Sequence, residues 1–170
     1  QKLSGARVEV MAADVGLLKS GGKTDYLFAK DPRFHFDPVA TDRVLKDGDT
    51  VELGGVKLTA RATPGHTPGT TTWLTTVEDG GRPYAVAFAD GMGVNPGTRL
   101  VKDPSYPGIA DDYRRTFHLL GSLRPDIFLS FHPGFFDFAG KRERAKRDGV
   151  QAWVDPDGYR RRIADSQANF

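Results

Sequence analysis

Polar and apolar residues alternate most cleanly over Val56–Ala62. Val56, Leu58, Ala60 and Ala62 fall on one side, and Lys57, Thr59 and Arg61 on the other. A period of two predicts a half-buried β-strand. The preceding run Thr50–Leu53 and the intervening Gly54-Gly55 pair predict a tight hairpin. Residues 70–77, rich in threonine and carrying Trp73, suit a strand. Residues 84–89 are apolar throughout, which predicts a central strand, and residues 126–131 predict a compact apolar strand. Residues 6–10 read as a short strand. Residues 12–18 read as a short helix stopped by Ser20-Gly21-Gly22. The clearest helical period lies in residues 109–123, where Ile109, Tyr113, Phe117 and Leu120 share a face and Asp111 and Asp112 open the first turn. Residues 141–147 form a basic, helical stretch read as a solvated face, and residues 156–170 form a terminal helix with Pro156 in its first turn. Strands come first and helices gather toward the end, as in a layered α/β domain spanning residues 1–170.

Two loops follow core strands and hold a histidine beside proline and glycine: Thr63-Pro64-Gly65-His66-Thr67-Pro68-Gly69 and His132-Pro133-Gly134. Proline and glycine let such loops keep a shape without burial. A histidine at the end of a core strand can bind a metal or move a proton, or it can simply occupy a tight turn. The other two histidines carry less. His35 lies in an irregular segment (residues 21–40) with Tyr26, Phe28 and Phe34, and is read as solvent-facing. His118 lies off the apolar stripe of its helix and is read as a surface residue.

Composition narrows the chemistry. The 170 residues are enough for one ordinary domain, and a net charge of +2 sets up no general field for nucleic acid. No apolar run reaches the roughly 18 residues that a membrane-spanning helix needs. With no cysteine, disulfides and thiolate zinc sites are excluded, so a metal would have to be held by His, Asp or Glu.

Gly65-His66-Thr67-Pro68-Gly69, Val94-Asn95-Pro96-Gly97, Tyr106-Pro107 with Asp112-Tyr113-Arg114, and His132-Pro133-Gly134 occur in one order along the chain. Together they resemble the metallo-β-lactamase superfamily, and specifically its subclass B3. The resemblance runs over nearly the whole chain and implies an αββα sandwich with a two-zinc site at one edge of the sheets. It implies His66 as a ligand of the first zinc and His132 as a ligand of the second. It also implies hydrolysis of the β-lactam amide bond by a metal-bound hydroxide, hence antibiotic resistance, in the periplasm. No side-chain nucleophile is required, and the chain has no G-x-S-x-G elbow. Asn95 is a candidate for binding substrate, or a turn residue ahead of Pro96. The aromatics Tyr26, Phe28, Phe34, Phe135 and Phe136 either line the cleft or pack ordinarily.

Two departures from the family pattern follow. Its metal motif His-x-His-x-Asp-His is not found, because His35 and His118 stand alone. In the family that motif lies upstream of the stretch with which this chain begins, so the chain is expected to be a C-terminal portion and, by itself, inactive. The second departure is Asp90-Gly91-Met92-Gly93, with Gly91 and Gly93 where subclass B3 often has serines. Asp90 is either a metal ligand, as in other hydrolases of the superfamily, or a turn residue behind the ligands. A one-residue slip of strand register decides which face it takes. The alternatives are a lactonase or a thioesterase like glyoxalase II on the same scaffold, or a non-enzymatic domain that has lost the metal.

Overall fold

The computed structural model describes residues 3–170; Gln1 and Lys2, the first two residues of the predicted one-domain span, lie outside them. Two sheets form. Strands β1 (Glu9–Met11) and β2 (Arg43–Leu45) pair in parallel. Strands β3 (Thr50–Leu53), β4 (Val56–Ala62), β5 (Thr71–Asp79), β6 (Arg82–Phe88) and β7 (Ile127–Leu129) make a five-stranded sheet in that order. It is antiparallel from β3 to β6, and β7 adds in parallel to β6. A parallel neighbour needs a crossover, here supplied by α2 (Ile109–Ser122).

The hairpin predicted between β3 and β4 is present with its expected bounds. Gly54 and Gly55 have φ of 59° and 82°, the conformations a tight primed turn requires. The central position expected of residues 84–89 is borne out, since β6 is paired on both sides. The outer strands are shorter than the apolar runs. β1 begins only at Glu9 because its parallel partner is three residues long. β7 covers Ile127–Leu129 rather than residues 126–131, because Asp126 turns its carboxylate to the Ala85 N–H (2.8 Å). The early helix opens with a 3-10 turn at Ala12–Asp14 and continues as α1 (Val15–Ser20).

The core lies where α2 and α4 (Pro156–Ala168) meet the sheet. Ile109, Tyr113, Phe117 and Leu120 from α2 pack with Phe128 of β7 and with Tyr159 and Ile163 of α4. Tyr159 donates its hydroxyl to the Leu120 carbonyl (2.7 Å), which occupies an acceptor at the end of α2. On the other face Tyr84, Val86 and Ile127 pack against Trp153 and Val154, while Met11 and Leu45 bury themselves against Ala60. This alternation along the strands gives the layering expected of an α/β fold.

The basic stretch differs from its expectation at one residue. It lies in α3 (Phe138–Asp148), mostly exposed, but Lys141 is only 2% exposed and pairs with Asp155 at 3.1 Å. Burying a charged side chain is costly unless it is paired, and Asp155 is that partner.

Candidate functional site

β4 and β6 end, and β5 begins, at one end of the large sheet, and β7 ends there too. Ala60, Trp73, Phe88 and Leu129 form one line of register across these four strands. At about 4.8 Å per strand spacing that line spans about 14 Å. Three loops leave the sheet just beyond it. They carry His66 between β4 and β5, Asp90 to Gly93 after β6, and His132 after β7. The topology thus brings both predicted histidines and Asp90 to one edge.

The His66 loop is tied down residue by residue. Thr63, fully buried, donates its N–H to the Thr70 carbonyl (2.9 Å), and the Gly65 N–H reaches the Thr67 carbonyl (3.0 Å). Asp14, from the turn before α1, accepts the Gly69 N–H at 2.8 Å and the Thr67 hydroxyl. Burial raises the Asp14 carboxyl above its ordinary range, although the Thr67 and Gly69 bonds pull the other way. Thr116 of α2 donates to the Pro64 carbonyl (2.6 Å), and the Tyr26 hydroxyl donates to the His66 carbonyl (3.1 Å). A cavity of about 190 Å³ behind the loop is lined by Asp14, Leu17, Tyr26, Thr67 and Tyr106. The His66 ring is half-buried, and its Nδ1 lies 3.2 Å from the Gly93 carbonyl. A carbonyl only accepts, so Nδ1 carries the proton and the Nε2 lone pair is left to coordinate or to accept.

Two tyrosines back this edge from α2 and the loop before it. Tyr113 donates to the Gly93 carbonyl (2.8 Å), and Tyr106 donates to the buried Asp112 carboxylate (2.9 Å). Burial, first of all, raises both phenols far above their ordinary value, so both stay protonated donors. Asp112, expected only to favour the helix dipole, also pairs with Arg115.

His132 is exposed, with its ring edge-on to Phe135 at 4.9 Å; the Arg162 guanidinium covers that phenyl ring at 3.7 Å. Asp90 accepts the N–H of its neighbour Gly91 (2.8 Å), as a turn residue does. The Asn95 carbonyl accepts the Thr98 N–H (3.0 Å) around Pro96-Gly97, again a turn. His118 is exposed, as expected. His35 is not solvent-facing: it is half-buried with Nε2 on the Ala29 carbonyl (2.9 Å), because the loop folds back on itself through Asp25 and Asp31. Among the aromatics, Phe28 and Phe34 stack on each other, whereas Tyr26 and Phe136 pack against the core.

Neutral imidazoles on rigid strand ends are suitable zinc donors, and His66 presents one nitrogen free of the protein's own hydrogen bonds. The donor count falls short. Among the described residues no group of three or more His, Cys, Asp or Glu side chains is placed to hold a metal ion, and zinc takes three or four protein ligands. The described residues at this edge do not by themselves make up a zinc donor set.

The anchors Asp14 and Thr116 were not singled out for a site by the sequence; Tyr26 entered only as a candidate cleft aromatic, and Tyr106 and Tyr113 only within the motifs of the resemblance. Asp14 and Thr67 are 53 positions apart, and Thr116 and Pro64 are 52. No local pattern signals such pairs.

No protein-family model matches the chain. FEZ-1, the metallo-β-lactamase of Legionella gormanii, is 40% identical with a TM-score of 0.94, covering 99% of this chain and 64% of its own. BJP-1, a subclass B3 metallo-β-lactamase of Bradyrhizobium japonicum, is 34% identical with a TM-score of 0.89, covering 99% and 63%. A probable metallo-hydrolase of Burkholderia pseudomallei is 46% identical over 50 residues, 29% of this chain and 17% of that protein. In fold the chain is metallo-β-lactamase-like. In sequence and structure together it resembles subclass B3 of that superfamily. The chain spans slightly less than two thirds of the length of these solved structures, 64% and 63%.

Proposed function

We propose that the chain is part of a zinc-dependent hydrolase of β-lactam amide bonds, with His66 and His132 as the metal ligands it contributes. One observation supports this most: the two histidine loops leave the same end of the sheet, with His66 held so that Nε2 is free. The likeness to FEZ-1 and BJP-1 favours β-lactams over other substrates of the scaffold. Bound zinc would supply Lewis-acid polarisation of the carbonyl and an activated water. This chain's part is to hold two imidazoles, with Asp14, Thr116 and Tyr26 fixing the His66 loop. In this reading residues 1–170 form one unit and Asn95 borders the substrate. Asp90 shapes its turn, and the location is the periplasm. Among the described residues no helix is long and apolar enough to cross a membrane.

The test is native mass spectrometry of the protein from its source, read with turnover of a chromogenic cephalosporin. A mass well above 18.6 kDa with two zincs per chain, and turnover abolished by chelation, supports the proposal. Turnover that survives chelation sinks the zinc mechanism. A second reading rests on the incomplete donor set: a domain without metal, for which His66→Ala and His132→Ala would leave zinc content unchanged.

A further inference from the structure

We propose that Tyr113 is a positioning residue: its hydroxyl holds the Gly93 carbonyl that accepts the His66 Nδ1–H, and so selects the imidazole tautomer that presents Nε2. The proposal rests on the reading of His66 as a ligand only for its consequence, not for its geometry. Two donors converge on one carbonyl, Tyr113 at 2.8 Å and His66 at 3.2 Å, and a carbonyl oxygen has two lone pairs to receive them. Gly93 has no side chain of its own, and although the buried Met92 before it fixes the chain, the direction of its carbonyl is set by the donors that reach it. Tyr113 is suited to that task because it is itself immobile. It is 0% exposed, and its ring packs against Phe117 and Phe170 with centroids 6.2 and 5.5 Å away. The same ring lies under Gly65, where an added Cβ would come within 2.8 Å of it. Tyr113 therefore meets the site twice, through its ring beneath the residue before His66 and through its hydroxyl on the acceptor of the His66 ring.

The other tyrosines do a different job. Tyr26 bonds the His66 carbonyl, and Tyr106 bonds Asp112 and, at 3.4 Å, the Gly65 carbonyl. Both hold loop backbone; Tyr26 also lies within hydrogen-bonding reach of the Tyr113 hydroxyl, but neither bonds the Gly93 carbonyl itself. A solvent-exposed neutral histidine side chain favours the proton on Nε2, so the Nδ1–H form needs a fixed acceptor, and which nitrogen is protonated follows from that bond.

The experiment compares imidazole ¹⁵N spectra of the metal-free chain at a pH of about 8, where histidine is neutral. Wild type, Tyr113→Phe and Tyr106→Phe are measured, with His66→Ala to assign the signals. Wild type is expected to show His66 as Nδ1–H. Tyr113→Phe, which keeps the ring packing, should show a mixture enriched in Nε2–H and about tenfold weaker zinc binding. Tyr106→Phe should keep the wild-type tautomer. A Tyr113→Phe chain that is less stable but retains Nδ1–H overturns the proposal, as does Nε2–H in wild type. If Tyr113→Phe fails to fold, the wild-type hydroxyl decides. A slowly exchanging Tyr113 O–H with a cross-peak to the His66 Nδ1–H supports the relay, and a freely exchanging one overturns it. Unchanged zinc binding in His66→Ala beside a shifted tautomer in Tyr113→Phe would remove the ligand assignment and leave the relay standing.

Discussion

Gly91 and Gly93 sit two residues apart and meet opposite surroundings. Gly91 has φ of 88°, and a Cβ there would lie 2.4 Å from the Thr63 carbonyl. Gly93 has nothing within 4 Å of its Cβ position. Left-handed backbone costs a residue with a Cβ about 1–2 kcal/mol, and a clash with fixed backbone adds to it. Gly91→Ser should therefore destabilise by about 2–4 kcal/mol, whereas Gly93→Ser should stay within about 0.5 kcal/mol. Urea midpoints of the two variants check this, and equal shifts would sink it. Of the two glycines found where subclass B3 often has serines, only Gly93 can become one without moving the loop. His66 was legible in the sequence because its neighbours are proline and glycine, whose backbone effects are local. Lys141 was misread because its partner Asp155 lies outside its own helix, and His35 because its loop folds back on itself through Asp25 and Asp31.

Between elements, the contact with most at stake is the pair joining α3 to the start of α4. Asp155 accepts the Gly158 N–H (2.8 Å), capping α4, and pairs with buried Lys141 at 3.1 Å. Burial by itself would raise the Asp155 carboxyl. The Gly158 N–H, Lys141 and Arg161 outweigh it and hold the carboxyl below its ordinary value. For a carboxylate lowered in the folded state, the stabilisation is full above the unfolded value of about 4. It is lost as pH falls through the lower folded value. Asp155→Ala should cost about 3–5 kcal/mol, because it strands a buried ammonium as well as removing a cap. Lys141→Met should cost less than Asp155→Ala and flatten the acid limb of the stability curve, since Asp155 is a third exposed and keeps its Gly158 bond. Thermal melts from pH 7 to pH 3 measure both, and an unchanged acid limb in Lys141→Met would count against the pair. At this scale much was legible. The β3–β4 hairpin and α2 were read within a residue because turn chemistry and helical period are local. The lengths of β1 and β7 were not, since a strand ends where its partner does.

Over the whole molecule, the sheet sets what the histidines can do. Strand order carries His66 and His132 to one edge although 66 positions separate them, and it adds Asp90 between. No acidic or histidine cluster of three accompanies them among the described residues. With His66 on one zinc and His132 on the other, each zinc keeps at least two and normally three ligand positions unfilled by these residues, and partial sets exchange their metal readily because affinity grows with each donor placed in advance. The 170-residue chain, loaded with zinc and passed through a desalting column, should then retain well under two zincs per chain. Its melting temperature should be indifferent to chelator, since a metal bound weakly adds little stability. Chelator would instead lower the melting temperature by several degrees if the edge held zinc tightly. Two retained zincs together with that drop would mean that donors other than His66 and His132 complete the site, and the ligand set proposed for this edge would have to be redrawn around them.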